Sequence, residues 1–148
     1  EIRDLVATMK LIPGKEVSSG NRIVLCEDSI VRGTQLKNYT LKKLWEAWAK
    51  EIHVRPACPP LMFPCKFALS TRSIDELAAR RAIRTIEGFD KDDISEYLDD
   101  CSEKYRKMVD WIAREIDATS LEFLRINDMV EAIGLPREKL CLHCWIGV

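Results

Sequence analysis

The sequence predicts an α/β fold, a parallel sheet with flanking helices, followed by a helical C-terminal region. Three observations carry this reading. Arg22 to Cys26 is a short, apolar, β-branched run of the kind that forms a buried strand. Glu51 to Arg55 alternates Ile52 and Val54 against polar neighbours, and a helical pattern from Thr34 to Trp48 lies between the two runs. Strand, helix and strand over that span make one βαβ unit, so the two strands should run parallel. Later, Tyr105, Met108, Val109, Ile112 and Ile116 fall on one stripe of a helix over 102–116.

The remaining elements follow in order. Residues 1–11 fit strand or helix. Residues 13–21 read as a loop, broken by Gly14, Ser18, Ser19, Gly20 and Asn21. Between the strands, Leu36, Tyr39, Leu41, Leu44, Trp45 and Trp48 roughly keep a helical period, and Tyr39, Trp45 and the Leu44 stripe read as core. Residues 56–64 hold four of the six prolines, which excludes regular structure there. Ser73-Ile74-Asp75-Glu76 fits a capping box for a helix running through Arg84, with Gly88 ending that region. Residues 92–101 read as a short acidic helix and 120–126 as a short strand. Asn127 is the expected N-cap of a helix ending at Gly134. Two regions result: 1–72, holding the βαβ unit, and 73–148, mainly helical.

Composition narrows the function classes. A chain of 148 residues is long enough for one real core. A net charge of −1 and a pI near 6.2 argue against a general nucleic-acid binder. No apolar run is long enough to cross a membrane and no secretory leader is apparent, so the cytoplasm is the expected location. Its six cysteines are then expected as thiols. Because the first residue is Glu1, the chain reads as a portion of something longer, with earlier strands of the sheet outside it.

The chemistry concentrates after the first strand. Glu27 and Asp28 would emerge at its carboxyl end, where an open α/β sheet usually binds ligand. Ser29, Ile30, Val31, Arg32, Gly33 and Thr34 then form a short loop before the helix. Gly33 can take a backbone conformation closed to other residues. Backbone N–H groups from Ile30 to Thr34, with the Ser29 and Thr34 hydroxyls, suit an anion. The acids suit sugar hydroxyls, so the order fits a sugar phosphate. Arg32 is ambiguous: in a backbone nest its side chain can point away from the anion. The bland alternative is a solvated turn after a buried strand.

Residues 23–34 resemble the phosphoribosyl-pyrophosphate (PRPP) loop of type I phosphoribosyltransferases. In the long form Asp-Ser-Ile-Val-Arg-Gly-Thr they are similar to the amidophosphoribosyltransferase family. Collinear segments extend the likeness over nearly the whole chain: Met9 to Pro13, Glu51 to Arg55, Pro59-Pro60, Phe63 to Cys65, Ile74 to Ala78, Ser120 to Leu124 and Ala132 to Gly134. The resemblance implies a partial type I phosphoribosyltransferase fold. It implies a pentosyltransferase that joins glutamine-derived ammonia to PRPP, giving 5-phosphoribosylamine and pyrophosphate in the first committed step of purine synthesis. Glu27 and Asp28 match the acid pair that meets the ribose hydroxyls near Mg2+, and Ser29 to Thr34 match the 5′-phosphate loop. No proton-transfer residue is assigned, because ammonia needs delivery more than a base. The resemblance also implies an N-terminal glutaminase domain outside this chain, without which turnover of glutamine is not expected, and a homo-oligomer inhibited by purine nucleotides. A non-catalytic PRPP-binding regulatory module is the competing reading. A metal-stabilised fragment without ligand is a third.

Cys141-Leu142-His143-Cys144 alone fits zinc, a redox pair, iron–sulfur ligation or coincidence. Buried thiols behaving as small apolar residues are the bland reading. The resemblance is sharper: Cys65, Cys141 and Cys144 match three ligands of a 4Fe–4S cluster, with the fourth ligand upstream of this chain. Cys26 reads as core, and Cys58 is near enough to Cys65 to stand in as a ligand. Three departures from the family pattern stand out. Gln35 replaces a hydroxyl residue. Glu27 replaces the commoner Asp. Trp48 stands where glycine is usual, and a Trp is not expected to take the left-handed cap conformation. Residues 81–111 exceed the usual spacer and read as a surface helical insertion suited to subunit contacts. His53 reads as a strand-face residue.

Overall fold

A computed structural model describes residues 14–67, 71 and 73–148. The expectations for residues 1–11, including the Met9 to Pro13 segment, lie outside the described residues. Strands β1 (Arg22–Glu27), β2 (Glu51–Pro56) and β3 (Ser120–Leu121) form one sheet in that spatial order. Both pairings are parallel, with Ile23 opposite Ile52, Leu25 opposite Val54 and Val54 opposite Leu121. The βαβ unit is therefore present as expected.

Helix α1 (Lys15–Ser18) precedes β1. Residues 34–46 are continuously helical and connect β1 to β2. The middle of that helix, Leu36–Leu41, winds as a π-helix, and its end is α2 (Lys42–Glu46). Helices α3 (Ala78–Glu87), α4 (Ser95–Leu98) and α5 (Glu103–Glu115) lie between β2 and β3. After β3 come α6 (Ile126–Ile133) and α7 (His143–Ile146).

One face of the sheet builds the core. Ile52 and Val54 are completely buried with Leu41 from the connecting helix, Ile83 from α3, Tyr97 from α4 and Ile112 from α5. The α5 stripe is buried as its period requires, and Ser102 caps the helix by accepting the Tyr105 N–H at 2.9 Å. A smaller cluster joins Cys58, Met129 and Leu142.

Several local expectations are corrected. β1 is not a buried strand: Val24 is 65 % exposed and Cys26 is also exposed, so Cys26 is not core. The reason is position, since β1 pairs only with β2 and among the described residues nothing covers its Val24 face. Ser73 caps a 3-10 turn (Ile74–Glu76) by accepting the Asp75 N–H, and α3 starts later. The 92–101 stretch is helical only over α4. β3 has two residues, and α6 starts at Ile126, so Arg125 and not Asn127 is its N-cap. Asn127 instead accepts a hydrogen bond from Arg137 at 3.1 Å. Gly134 closes α6 as expected, with φ +74°.

Trp48 overturns a further expectation by adopting φ +62°. The helix ends there in a Schellman arrangement, with the Ala49 N–H donating to Leu44 O at 3.1 Å and the Trp48 N–H to Trp45 O at 2.9 Å. Gly20 N–H also donates to Trp48 O at 2.8 Å, so three hydrogen bonds hold the strained residue.

Candidate functional site

The carboxyl end of β1 builds the site. Glu27 is half-buried, and its carbonyl accepts the Ala57 N–H at 2.8 Å, tying the strand end to the segment after β2. Asp28 is exposed and its carboxylate accepts the Ser29 N–H at 2.6 Å, at the point where the chain leaves the strand. Ile30 points into the core and is 4 % exposed. The loop is thus pinned from below by a buried side chain and at its start by the Asp28 carboxylate on the Ser29 N–H.

Its carbonyls are also taken up. Val31 O accepts the Ala78 N–H at 2.7 Å, at the first turn of α3. Arg32 O accepts from Arg81 Nη1 at 3.3 Å. In a planar trans peptide the carbonyl and the following N–H point in opposite directions. Fixing these two carbonyls toward α3 therefore turns the Arg32 and Gly33 N–H groups the other way. The N–H groups of Ile30 to Thr34 have no hydrogen-bond partner among the described residues. The Gly33 carbonyl accepts the Lys37 N–H at 2.9 Å and starts the connecting helix, whose positive end adds to the same field.

Gly33 is required on two counts. Its φ is +76°, and a Cβ there would lie 2.8 Å from Ile116 Cγ2. The ambiguity at Arg32 resolves in favour of the outward side chain, because its guanidinium pairs with Glu76 at 2.6 Å. Arg81 was not legible as part of this site. It falls at the start of the stretch read as a surface insertion, and only the fold brings it to the loop.

The three cysteines also converge. The Cys144 carbonyl accepts the Met62 and Phe63 N–H groups at 2.8 and 3.0 Å, which docks α7 against the proline-rich segment. Phe63 lies against the His143 ring, with centroids 5.8 Å apart, and Gly147 leaves room for the Phe63 ring. Cys65 and Cys144 are side-chain hydrogen-bond partners. Burial first, then Cys65 and Cys141, push the Cys144 thiol above its ordinary value. Sulfur donors brought to one place suit a soft cationic centre. Thr71 Oγ1 and His143 Nδ1 are buried nearby without a hydrogen-bond partner among the described residues, and thiols of this kind are the donors an iron–sulfur group takes. Cys58 packs with Met129 and Leu142, and burial raises its pKa. His53 is a strand-face residue, paired with Ser120 at 2.8 Å and Glu51 at 3.0 Å.

No family model matches the chain. Individual relatives do. Amidophosphoribosyltransferase of Methanocaldococcus jannaschii is 32 % identical over 145 residues, 98 % of this chain and 25 % of that protein. The enzyme of the same name from Pyrococcus horikoshii is 46 % identical over 90 residues, 61 % of this chain and 19 % of that protein. Among solved structures, the glutamine PRPP amidotransferase of B. subtilis, complexed with ADP and GMP, matches 99 % of this chain. Its TM-score is 0.66 at 29 % identity, over 28 % of its own length.

The chain belongs to the amidophosphoribosyltransferase family.

That is the family expected from the loop and the collinear segments. The parallel sheet with its flanking helices is part of the type I phosphoribosyltransferase fold of these amidotransferases. Amidophosphoribosyltransferases are pentosyltransferases of purine synthesis, and the chain spans about a quarter of the length of the relatives it matches. Among the described residues no helix is long and apolar enough to cross a membrane.

Proposed function

We propose that this chain supplies the ribose-phosphate site of an amidophosphoribosyltransferase, which converts PRPP and glutamine-derived ammonia into 5-phosphoribosylamine and pyrophosphate. The observation that supports it is the loop after β1: the Val31 and Arg32 carbonyls are bound to α3, and the N–H groups from Ile30 to Thr34 have no hydrogen-bond partner among the described residues. Those N–H groups, with the Ser29 and Thr34 hydroxyls, hold the 5′-phosphate. Glu27 and Asp28 accept hydrogen bonds from the ribose hydroxyls and are the ligands for Mg2+.

In the reaction the ammonia lone pair forms the C1–N bond. The C1–O bond breaks with its electron pair leaving on pyrophosphate, and the new ammonium loses a proton. Positive charge grows on the sugar as the bond breaks. The fixed carboxylates of Glu27 and Asp28 favour that charge, and the phosphate grip keeps C1 in place. Mg2+, when bound, supplies neutralisation of the leaving pyrophosphate. Ammonia comes from a glutaminase domain outside these residues, and the enzyme works as a homo-oligomer in the cytoplasm. Cys65, Cys141 and Cys144 are three ligands of a 4Fe–4S cluster, with a fourth ligand from elsewhere. That cluster, when bound, supplies a covalent tie between the segment after β2 and α7.

Calorimetric titration of PRPP with Mg2+ into the protein tests the reading. Saturable binding is expected, weakened about tenfold in Asp28→Asn, because hydrogen bonds to a charged group are worth about 1.5–3 kcal/mol. No heat of binding in the wild type would overturn it.

A further inference from the structure

We propose that Arg81 is a positioning residue for the phosphate loop, a strap that holds the Arg32 carbonyl back so that the Gly33 N–H faces the ligand. This rests on the phosphate-binding role proposed above. It assigns a function within the 81–111 stretch, which the sequence presented as a surface insertion and which the structure instead builds into the core through Ala82, Ile83, Tyr97 and Met108.

The strap has three fixed points. Arg81 Nη1 donates to Arg32 O at 3.3 Å. Nη2 of the same guanidinium donates to Glu115 Oε1 at 3.3 Å. Its plane lies over the Trp111 ring, 5.9 Å from the centroid. Glu115 and Trp111 both belong to α5, so the guanidinium joins the loop to α5 across α3. A planar fork with several donors suits this bridging, and the contact that holds the loop, the one to the Arg32 carbonyl, needs only one long cationic donor. Charge also speaks against a merely decorative residue. Arg80 and Arg81 stand in the first turn of α3, the positive end of the helix dipole, where cations are disfavoured. Arg81 is held there by a carbonyl, a carboxylate and an aromatic face.

Without the strap, the Arg32–Gly33 peptide is free to rotate. Its N–H then no longer points steadily to the side opposite α3, and the phosphate loses one preorganised donor. The Ala78 N–H still holds Val31 O at 2.7 Å, so the loss is partial.

Ribose 5-phosphate is the probe, because it engages the loop without needing a leaving group. Arg81→Gln in the full protein is expected to raise its Kd about three- to tenfold, the range of one net hydrogen bond. Arg81→Lys keeps a donor for the carbonyl and is expected to recover most of that loss, a rescue that simple loss of packing would not produce. Should Arg81→Gln fail to fold, Glu115→Gln decides, with an expected rise of about twofold. Wild-type affinity in Arg81→Gln, or in Glu115→Gln where that variant decides, overturns the strap and leaves the phosphate site standing. So does a loss in Arg81→Gln that Arg81→Lys fails to rescue. Absence of ribose 5-phosphate binding in the wild type overturns both.

Discussion

Gly33 shows how much one missing side chain can decide. Its positive φ and the 2.8 Å approach of Ile116 Cγ2 act together, so Gly33→Ala faces backbone strain and a steric clash at once. The variant is expected to lose about 1–3 kcal/mol, read as a lower urea midpoint, and a wild-type midpoint would contradict the local geometry. The glycine and the two acids were legible in the sequence because their chemistry is local. The partners of Arg32 were not. Glu76 and Arg81 lie far along the chain, and no local pattern announces a contact made only after α3 has docked. Cys26 was misread for a different reason. An apolar run reports β-propensity, and it does not report whether both faces of the strand are covered.

Helix ends carry the next lesson. Gly88 and Gly134 close α3 and α6 with φ of +81° and +74°, as their residue type foretold. Trp48 closes the connecting helix in the same conformation against its residue type. Its side chain is 74 % exposed, so little packing is lost if it is removed. Trp48→Gly is expected to stabilise the protein by about 0.5–1 kcal/mol, because a left-handed non-glycine residue costs about 1–2 kcal/mol and glycine returns part of that gain as unfolded-state entropy. Thermal unfolding measures it, and a lower midpoint would show that the three hydrogen bonds already remove the strain. The βαβ order and the α5 stripe were readable from periodicity. The π-helical winding of Leu36–Leu41 and the brevity of β3 were not, since both are set by what packs against them.

At the scale of the molecule, distant segments are brought together by charge and by sulfur. Tyr97 is fully buried and its hydroxyl donates to Glu87 at 2.8 Å, with Lys104 on the same carboxylate at 2.8 Å. Burial, then Glu87, pushes the Tyr97 pKa up to about 12. A raised folded pKa means that stability is full below the unfolded value near 10 and falls as pH rises from there toward 12. Tyr97→Phe is expected to cost about 1 kcal/mol near neutral pH, and its gap to the wild type should narrow through that alkaline window. Urea midpoints across the window test this, and a constant gap would contradict it. Cys144→Ser is expected to remove the brown absorbance and the iron of an anaerobic preparation, while unchanged iron content would exclude Cys144 as a ligand. The sequence located these thiols, but their meeting depends on the Cys144 carbonyl capturing Met62 and Phe63. The path from β2 to β3 has one more implication. These neighbours in the sheet are joined through three helices, and closing a loop twice as long costs only about 0.6 kcal/mol. Homologous chains are therefore able to lengthen the exposed turn over 88–93 at small thermodynamic expense, while the buried Tyr97 and the α5 stripe stay in the core and Ala78 and Arg81, ahead of the turn, keep the crevice in register.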